Sequence, residues 1–233
     1  MPSTTPLPVT IAVDDAQSVS ALLQAPRDAR ACCVLAHGAG AGMAHPFMAA
    51  VANELAARGI ATLRYQFPYM DRGSRRPDAP KVAHATVRAA VAEAACRLPG
   101  VALVAGGKSF GGRMTSQAQA SAPLPGVRGL VFLGFPLHPA GAPSSERAKH
   151  LFDVKVPMLF LQGARDELAE LALIEGIAEQ LGARATLKLF ADADHSFHVP
   201  KRSGRTDASV LKELSDLSGN WIGTTIAREP FAP

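Results

Sequence analysis

The sequence predicts an α/β fold built on a mostly parallel sheet of about seven or eight strands, with helices on both faces. Short apolar runs alternate with longer amphipathic ones from Pro8 onward, and each junction carries glycine or proline. Repeated strand–helix units give this pattern. The run ACCVLA at 31–36 is apolar throughout, which is typical of a strand buried on both faces of a parallel sheet.

The individual elements follow from these runs and from the residues that end them. Phe47, Val51 and Leu55 recur at helical spacing, which predicts a helix that Gly59 ends. The expected strands are 9–13, 19–23, 31–36, 60–65, 101–105, 129–133, 157–161 and 185–190. The expected helices cover about 45–58, 81–97, 112–120, 167–181 and 208–226.

Composition favours one domain spanning 1–233. With 233 residues, of which 48% are hydrophobic and 19% charged, the chain can bury one substantial core. The net charge of +4 comes from Lys and Arg residues spread along the chain, and aromatic residues make up only 6%. A nucleic-acid-binding protein would more often concentrate basic and aromatic residues on one face. We therefore expect no nucleic-acid partner.

Location and cofactors are constrained by what the sequence does not contain. The stretch 1–11 has three prolines and lacks the apolar run of a secretory signal, and no stretch approaches the length of a membrane span. Cys32, Cys33 and Cys96 lie in apolar segments and show no metal-ligand spacing. We expect a soluble, cytoplasmic protein without a membrane partner, a metal ion or another cofactor.

Ser109 is the candidate nucleophile. It lies at the centre of Gly107-Lys108-Ser109-Phe110-Gly111, after an apolar strand and before a helix-like segment. In that setting a sharp turn lifts a serine hydroxyl above the sheet edge. Glycine on either side, two residues away, removes the β-carbons that such a turn would crowd.

The same segment also resembles the end of a phosphate-binding loop of the form G-x-x-x-x-G-K-S. The first glycine of that loop would fall at position 102, which is Ala102, and the intervening residues are the apolar Leu103, Val104 and Ala105. The amide groups of a strand are not free to surround a phosphate. The nucleophile interpretation is therefore preferred.

A serine needs a base, and the base needs an acid that orients it. Asp166 follows the strand at 157–161 and His195 follows the last strand, so both are expected at the carboxyl edge of the sheet. His198 is an alternative base, and Asp192 and Asp194 are alternative acids. We prefer Asp166 because a carboxylate beside the base in sequence cannot easily reach its far ring nitrogen.

The glycine-rich loop HGAGAG at 37–42 is a candidate oxyanion hole. Small residues let backbone amides approach a substrate oxygen. We expect the amide of Ala39 to act together with that of Phe110, the residue after the nucleophile. An ordinary glycine turn between a strand and a helix is the simpler alternative.

Several motifs together resemble a group of α/β-hydrolases found in bacteria and eukaryotes. They are HGAGAGM at 37–43, RYQFPYM at 64–70, GGKSFGGRM at 106–114, GFPLHP at 134–139, LQGARDE at 161–167 and DHSF at 194–197. The group is similar to dienelactone hydrolases, and it includes a testis-expressed member and subunits of a chromatin-modifying complex. The resemblance implies Ser109 as nucleophile, Asp166 as acid and His195 as base. Phe110 departs from it, since methionine is the expected residue there.

The function expected from the residues and the resemblance is hydrolysis of a small ester, thioester or lactone through an acyl-enzyme. Only about twenty residues, 136–156, are available where such hydrolases insert a cap, so we expect no large cap domain. Tyr69, Met70 and Phe135 are the expected pocket residues. The alternative is a hydrolase-shaped interaction scaffold without turnover.

The sequence assigns no role to two basic features. Lys108 belongs to the pattern of the group, and it could be a solvated charge or attract an acidic substrate group. The segment after the strand at 60–65 carries Arg72, Arg75 and Arg76. A charged loop of this kind is more often solvated than an anion-binding site.

Overall fold

The computed structural model describes residues 5–227, which form one eight-stranded sheet flanked by helices. Residues 1–4 and 228–233, which the expected domain also includes, lie outside the described residues. The strand order is β1-β2-β4-β3-β5-β6-β7-β8. The strands are β1 Leu7–Ala12, β2 Ser18–Gln24, β3 Ala31–Ala36, β4 Ile60–Tyr65, β5 Ala102–Lys108, β6 Val127–Leu133, β7 Met158–Gly163 and β8 Ala185–Phe190.

The sheet is antiparallel at one edge and parallel elsewhere. β1 pairs with β2, and β2 pairs with β4, in antiparallel register. From β4 to β8 every neighbouring pair is parallel. β3, β4 and β7 are buried along their whole length, because helices cover both of their faces.

Helices cover the two faces of the sheet in separate layers. The helices are α1 Pro46–Ala57, α2 Pro68–Asp71, α3 Pro80–Arg97, α4 Phe110–Ser121, α5 Leu171–Leu181 and α6 Asp207–Ala227. α3, α4 and α5 pack through residues such as Val87, Met114 and Ile174 into one apolar cluster. α1 and α6 pack into a second cluster on the other face. The predicted fold class is confirmed.

Several elements differ from the sequence expectation, most by one or two residues at an end. β5 continues to Lys108, since its two glycines lie in the strand and not in a loop. α5 begins at Leu171, because Asp166 forms a turn of its own in which its carboxylate accepts the amide hydrogen of Leu168. The short helix α2 was expected to be loop.

The connection between β6 and β7 contains only a 3₁₀ segment, Glu146–Asp153. It packs on the sheet through the buried side chains of Ala148 and Leu151. No separate cap domain is present among residues 5–227, as expected. None of the helices in this part of the chain is both long and apolar enough to cross a lipid bilayer.

Candidate active site

Ser109 lies on a strained turn between β5 and α4. Its backbone has φ 51° and ψ −117°, a left-handed conformation that a side chain makes costly. β5 pairs with β3 on one side and β6 on the other, so its amides belong to the sheet and do not form a phosphate-binding loop. The strain is held in place by the surrounding main chain, which is the behaviour expected of a functional residue.

The glycines around Ser109 are required by close backbone approach. A β-carbon on Gly107 would lie 2.3 Å from the carbonyl oxygen of Ala36, and one on Gly111 would lie 2.5 Å from that of His37. Gly107 also has φ 159°. The turn therefore fits against the end of β3 only when both positions lack a side chain. We call Gly106–Gly112 the elbow.

Ser109, His195 and Asp166 form a continuous hydrogen-bonded chain. The Oγ of Ser109 lies 2.8 Å from Nε2 of His195, and Nδ1 of His195 lies 2.6 Å from Oδ2 of Asp166. The side chain of Asp166 is fully buried, whereas that of His195 is 23% exposed. With a proton on Nδ1, the ring can accept the serine proton at Nε2 while the carboxylate stabilises the resulting charge.

Gln162 orients the carboxylate, and the sequence reasoning missed it. Its Nε2 donates to Oδ2 of Asp166 at 2.5 Å, and its Oε1 accepts the amide hydrogen of Phe135 at 2.8 Å. The residue is fully buried in β7. A lone polar side chain within an apolar strand was the signal that could have identified it, because such groups are buried only with partners.

His198, the alternative base, and Asp194, one of the two alternative acids, have other partners. The ring of His198 lies 2.9 Å from Oδ2 of Asp207 and is 64% exposed. Asp194 accepts the amide hydrogens of Ser196 and His198, and so closes the turn that carries His195. We call residues 192–198 the base loop.

The loop after β3, residues 37–42, which we call the His37 loop, is fixed by His37. Its Nδ1 donates to the carbonyl oxygen of Gly38 at 2.7 Å, and its Nε2 accepts the amide hydrogen of Phe67 at 3.1 Å. Burial lowers the pKa of this imidazole, and a proton on Nε2 would oppose the Phe67 amide. The neutral ring therefore holds the loop beside the elbow. Tyr69 supports the same loop, since its hydroxyl oxygen accepts the amide hydrogen of Gly40 at 3.2 Å.

Two backbone amides near Ser109 are available to a ligand. Phe110 is the first residue of α4, so its amide is one of those that a helix leaves unpaired. Ala39 is exposed at the tip of the His37 loop. Within residues 5–227 neither amide donates to a backbone carbonyl. These are the two donors that the sequence reasoning named for an oxyanion hole.

Comparison with known proteins assigns this architecture to a family. A model of the alpha/beta hydrolase domain matches residues 29–223, which is most of the chain. The chain belongs to the α/β-hydrolase family. Membership confirms the resemblance expected from the motifs, and it supports a hydrolase activity.

Solved structures of other α/β-hydrolases have the same fold. A dienelactone hydrolase from Anabaena variabilis superposes with a TM-score of 0.78 at 21% identity, covering 96% of this chain and 99% of that chain. A lidless α/β serine hydrolase from Xanthomonas campestris gives 0.72 at 20% identity, covering 95% and 96%. The esterase Est1E from Butyrivibrio proteoclasticus gives 0.71 at 17% identity, covering 95% and 99%.

A cavity of about 350 Å³ opens beside Ser109 in this α/β-hydrolase. Its residues come from the His37 loop, the start of α1, the elbow, the turn between β7 and α5, and the base loop. They are Gly38, Ala39, Ala41, His45, Phe47, Met48, Lys108, Ser109, Leu168, His195 and Ser196. Most of the side chains are small or apolar, so the cavity suits a compact, largely apolar group.

The expected pocket residues Tyr69, Met70 and Phe135 are not among those that line this cavity. Tyr69 and Phe135 are almost fully buried, and the Cε of Met70 lies 3.3 Å from the place that a β-carbon on Gly42 would take. Tyr69 and Phe135 belong to the apolar core, and Met70 packs against it. Their apolar character, which suggested contact with substrate, is explained by this packing.

The arginines after β4 lie outside the cavity and are paired or exposed. Arg72 forms an ion pair with Asp78, whose other carboxylate oxygen accepts the amide hydrogen of Tyr69. Arg75 and Arg76 are exposed. Over the range 5–227, no three His, Cys, Asp or Glu side chains are grouped so as to hold a metal ion.

Proposed function

We propose that this α/β-hydrolase is a serine hydrolase that cleaves a small ester, thioester or lactone through an acyl-enzyme. The observation that carries the proposal is the hydrogen-bonded chain from Asp166 through His195 to Ser109, at 2.6 and 2.8 Å. These separations support proton transfer from the serine to the imidazole as the hydroxyl attacks a carbonyl carbon.

In the proposed first step, Ser109 Oγ bonds to the carbonyl carbon and His195 Nε2 takes the serine proton. The carbonyl oxygen becomes an oxyanion, which accepts hydrogen bonds from the amides of Ala39 and Phe110. The leaving group then departs with the proton from His195. This leaves the acyl group on Ser109.

In the second step water attacks the acyl-enzyme. His195 accepts a proton from the water, and the bond between Ser109 Oγ and the acyl carbon breaks as the serine recovers its proton. Asp166, held by Gln162 and by the Leu168 amide, keeps the imidazole oriented in both steps. No cofactor takes part in this scheme.

The cavity supports a small acyl group. A volume of about 350 Å³ lies at the lower end of the range for small-molecule sites. Phe47, Met48 and Leu168 supply apolar contact at the rim and wall. Because a cavity of this size accommodates only a small acyl group, we expect p-nitrophenyl acetate and butyrate to react faster than long-chain esters.

Steady-state hydrolysis of a p-nitrophenyl ester series by wild type and Ser109→Ala tests the proposal. We expect kcat of Ser109→Ala to fall by at least about 10⁴-fold. Ser116→Ala is the matched control, because Ser116 also contacts a histidine, His150, at 2.7 Å, but is fully buried on α4. That control should keep its activity within about threefold of wild type.

Equal activity in wild type and Ser109→Ala would refute Ser109 as nucleophile. Absence of wild-type turnover on the whole ester and thioester series, with no reaction at Ser109 towards a fluorophosphonate, would favour the interaction scaffold. The short triad distances argue against that alternative, because a scaffold has no physical need for the three groups to be aligned.

A further inference from the structure

The ammonium group of Lys108 contacts the main chain of the catalytic base. Its Nζ donates to the carbonyl oxygen of His195 at 2.6 Å, although the two residues are 87 positions apart. Lys108 directly precedes Ser109 at the end of β5. We propose that Lys108 is a positioning residue that ties the base loop to the elbow, so that His195 stays aligned with Ser109. The inference rests on the proposed triad.

The protein leaves a dedicated space for this side chain. A β-carbon on Gly134, which follows β6, would lie 3.1 Å from Nζ of Lys108, and one on Gly38 would lie 3.4 Å from its Cγ. The ring of Phe197 faces the ammonium, with its centroid 5.6 Å from Nζ. Two glycines therefore leave room for the lysine side chain, and an aromatic ring faces its ammonium. A solvated surface charge does not need such an environment.

The base loop needs such a restraint. Phe197 has φ 64°, a costly conformation for a residue with a large side chain. Its ring is buried against Phe47 and Phe190. Asp194 closes the turn from inside, and Lys108 joins the main chain of this strained turn to the end of β5, next to Ser109. A carbonyl accepting from an ammonium forms a charge-assisted bond, which is stronger than a neutral one.

The charges around Lys108 are few and defined. Asp166, after β7, and Asp194, in the base loop, are the carboxylates whose charges act on it, and His195 is the remaining ionisable neighbour. Gly38, Gly134 and Phe197 contribute no charge. Burial lowers the pKa of Lys108 to about 8, and the two carboxylates oppose this shift. The ammonium is therefore charged at neutral pH and loses its charge in mildly alkaline solution.

The primary test compares Lys108→Met and Lys108→Gln with wild type on p-nitrophenyl butyrate across pH. We expect kcat to fall by up to about 100-fold in both variants, with KM changed less than about threefold, because misplacing the base by about an ångström affects the transition state more than binding. Wild-type kcat should decline as pH rises through about 8, where Lys108 loses its proton, and neither variant should show that decline.

Lys188→Met is the matched control, since Lys188 is an exposed lysine on β8. It should keep the wild-type kcat and pH profile. A Lys108→Met variant with wild-type kcat, or with the alkaline decline still present, would overturn the proposal. So would a fall in kcat that only matches a loss of folded protein, measured by thermal unfolding.

A second measurement does not depend on turnover. Amide hydrogen exchange should become at least about tenfold faster in residues 194–198 of Lys108→Met, and remain unchanged in β3 and β7. Unchanged exchange in the base loop would overturn the positioning role even if the protein hydrolyses no ester. Faster exchange in an enzyme without esterase activity would support the Lys108 restraint and reject the proposed function.

Discussion

The elbow and the base loop both carry a residue in a costly left-handed conformation, but different forces hold them there. Ser109 in the elbow is held by main chain, since the turn lies against the ends of β3 and β6 with no room for β-carbons. Phe197 in the base loop is held partly by main chain, through the bond from its amide to the carbonyl oxygen of Asp194, and also by side chains, through ring packing, the Asp194 carboxylate and the Lys108 ammonium.

This difference predicts how each of the two regions responds to substitution. Main-chain packing inside a sheet cannot relax without disrupting the strands, so Ser109 is placed by the fold itself. Side-chain contacts across loops can open locally at a smaller cost in free energy. We therefore expect changes in the elbow to reduce stability, and changes in the base loop to reduce activity first.

The largest effect is expected from Gly111→Ala in the elbow. The new β-carbon would lie 2.5 Å from the carbonyl oxygen of His37 and 2.7 Å from the β-carbon of Ala36. Because β3 is central in the sheet, it cannot move aside. We expect the free energy of unfolding to fall by at least about 4 kcal/mol, measured by urea denaturation.

Gly176→Ala is the control for this change. Gly176 lies within α5, and an added β-carbon there meets no atom within 4 Å. Alanine is the better helix former, so this variant should gain about 0.5 to 1 kcal/mol. A Gly111→Ala protein as stable as Gly176→Ala would contradict the account of the elbow.

The same substitution in contact with the base loop should have a different outcome. A β-carbon on Gly163, at the end of β7, would lie 2.4 Å from the carbonyl oxygens of both Ala193 and Asp194. The base loop can move away by about an ångström, so Gly163→Ala should fold. We expect kcat for p-nitrophenyl butyrate to fall by about 100-fold, with a smaller loss of stability than for Gly111→Ala. Wild-type kcat, or a stability loss equal to that of Gly111→Ala, would show that the two regions do not differ.

The smallest effect is expected at the solvent-facing end of the base loop. Asp207 raises the pKa of His198, mainly through the hydrogen bond to Nδ1 and further through its charge. The imidazolium therefore contributes stability below the ordinary histidine pKa, and this contribution is lost as pH rises through the raised pKa. His198→Asn should leave kcat within about twofold of wild type.

Thermal unfolding at about pH 5.5 and about pH 8.5 checks the stability part of this prediction. Wild type should lose more of its midpoint temperature between the two conditions than His198→Asn does. A loss of kcat comparable with that of a His195 variant would instead identify His198 as the base.

Local spacing explains what the sequence could predict, and distant contacts explain what it could not. β4 has the predicted bounds, because an apolar run between Gly59 and a polar segment defines it. The elbow was predictable, since its glycines and its serine are adjacent in the chain. The end of β5 was predicted three residues too early, because Gly106 serves a close approach to the carbonyl of Val131, which spacing does not reveal.

The partners of the site were harder to predict for the same reason. Lys108 acts on His195, 87 positions away, and Gln162 links Asp166 to the amide of Phe135, which is 27 positions before it, so the fold is needed to bring these groups together. Tyr69 and Phe135 were expected in the pocket because aromatic residues beside a motif suggest contact with substrate, yet both are buried behind it. Which face of a motif an aromatic side chain occupies depends on packing, and the motif alone does not encode it.

The central claim is that Ser109 is the nucleophile of a working triad. Intact-protein and peptide mass spectrometry after treatment with a fluorophosphonate tests it most directly. We expect one adduct per wild-type molecule, located at Ser109, none in Ser109→Ala, and wild-type labelling in Ser116→Ala, whose missing hydroxyl belongs to the other serine–histidine pair. Labelling that persists in Ser109→Ala, or an adduct at Ser116, would contradict the account.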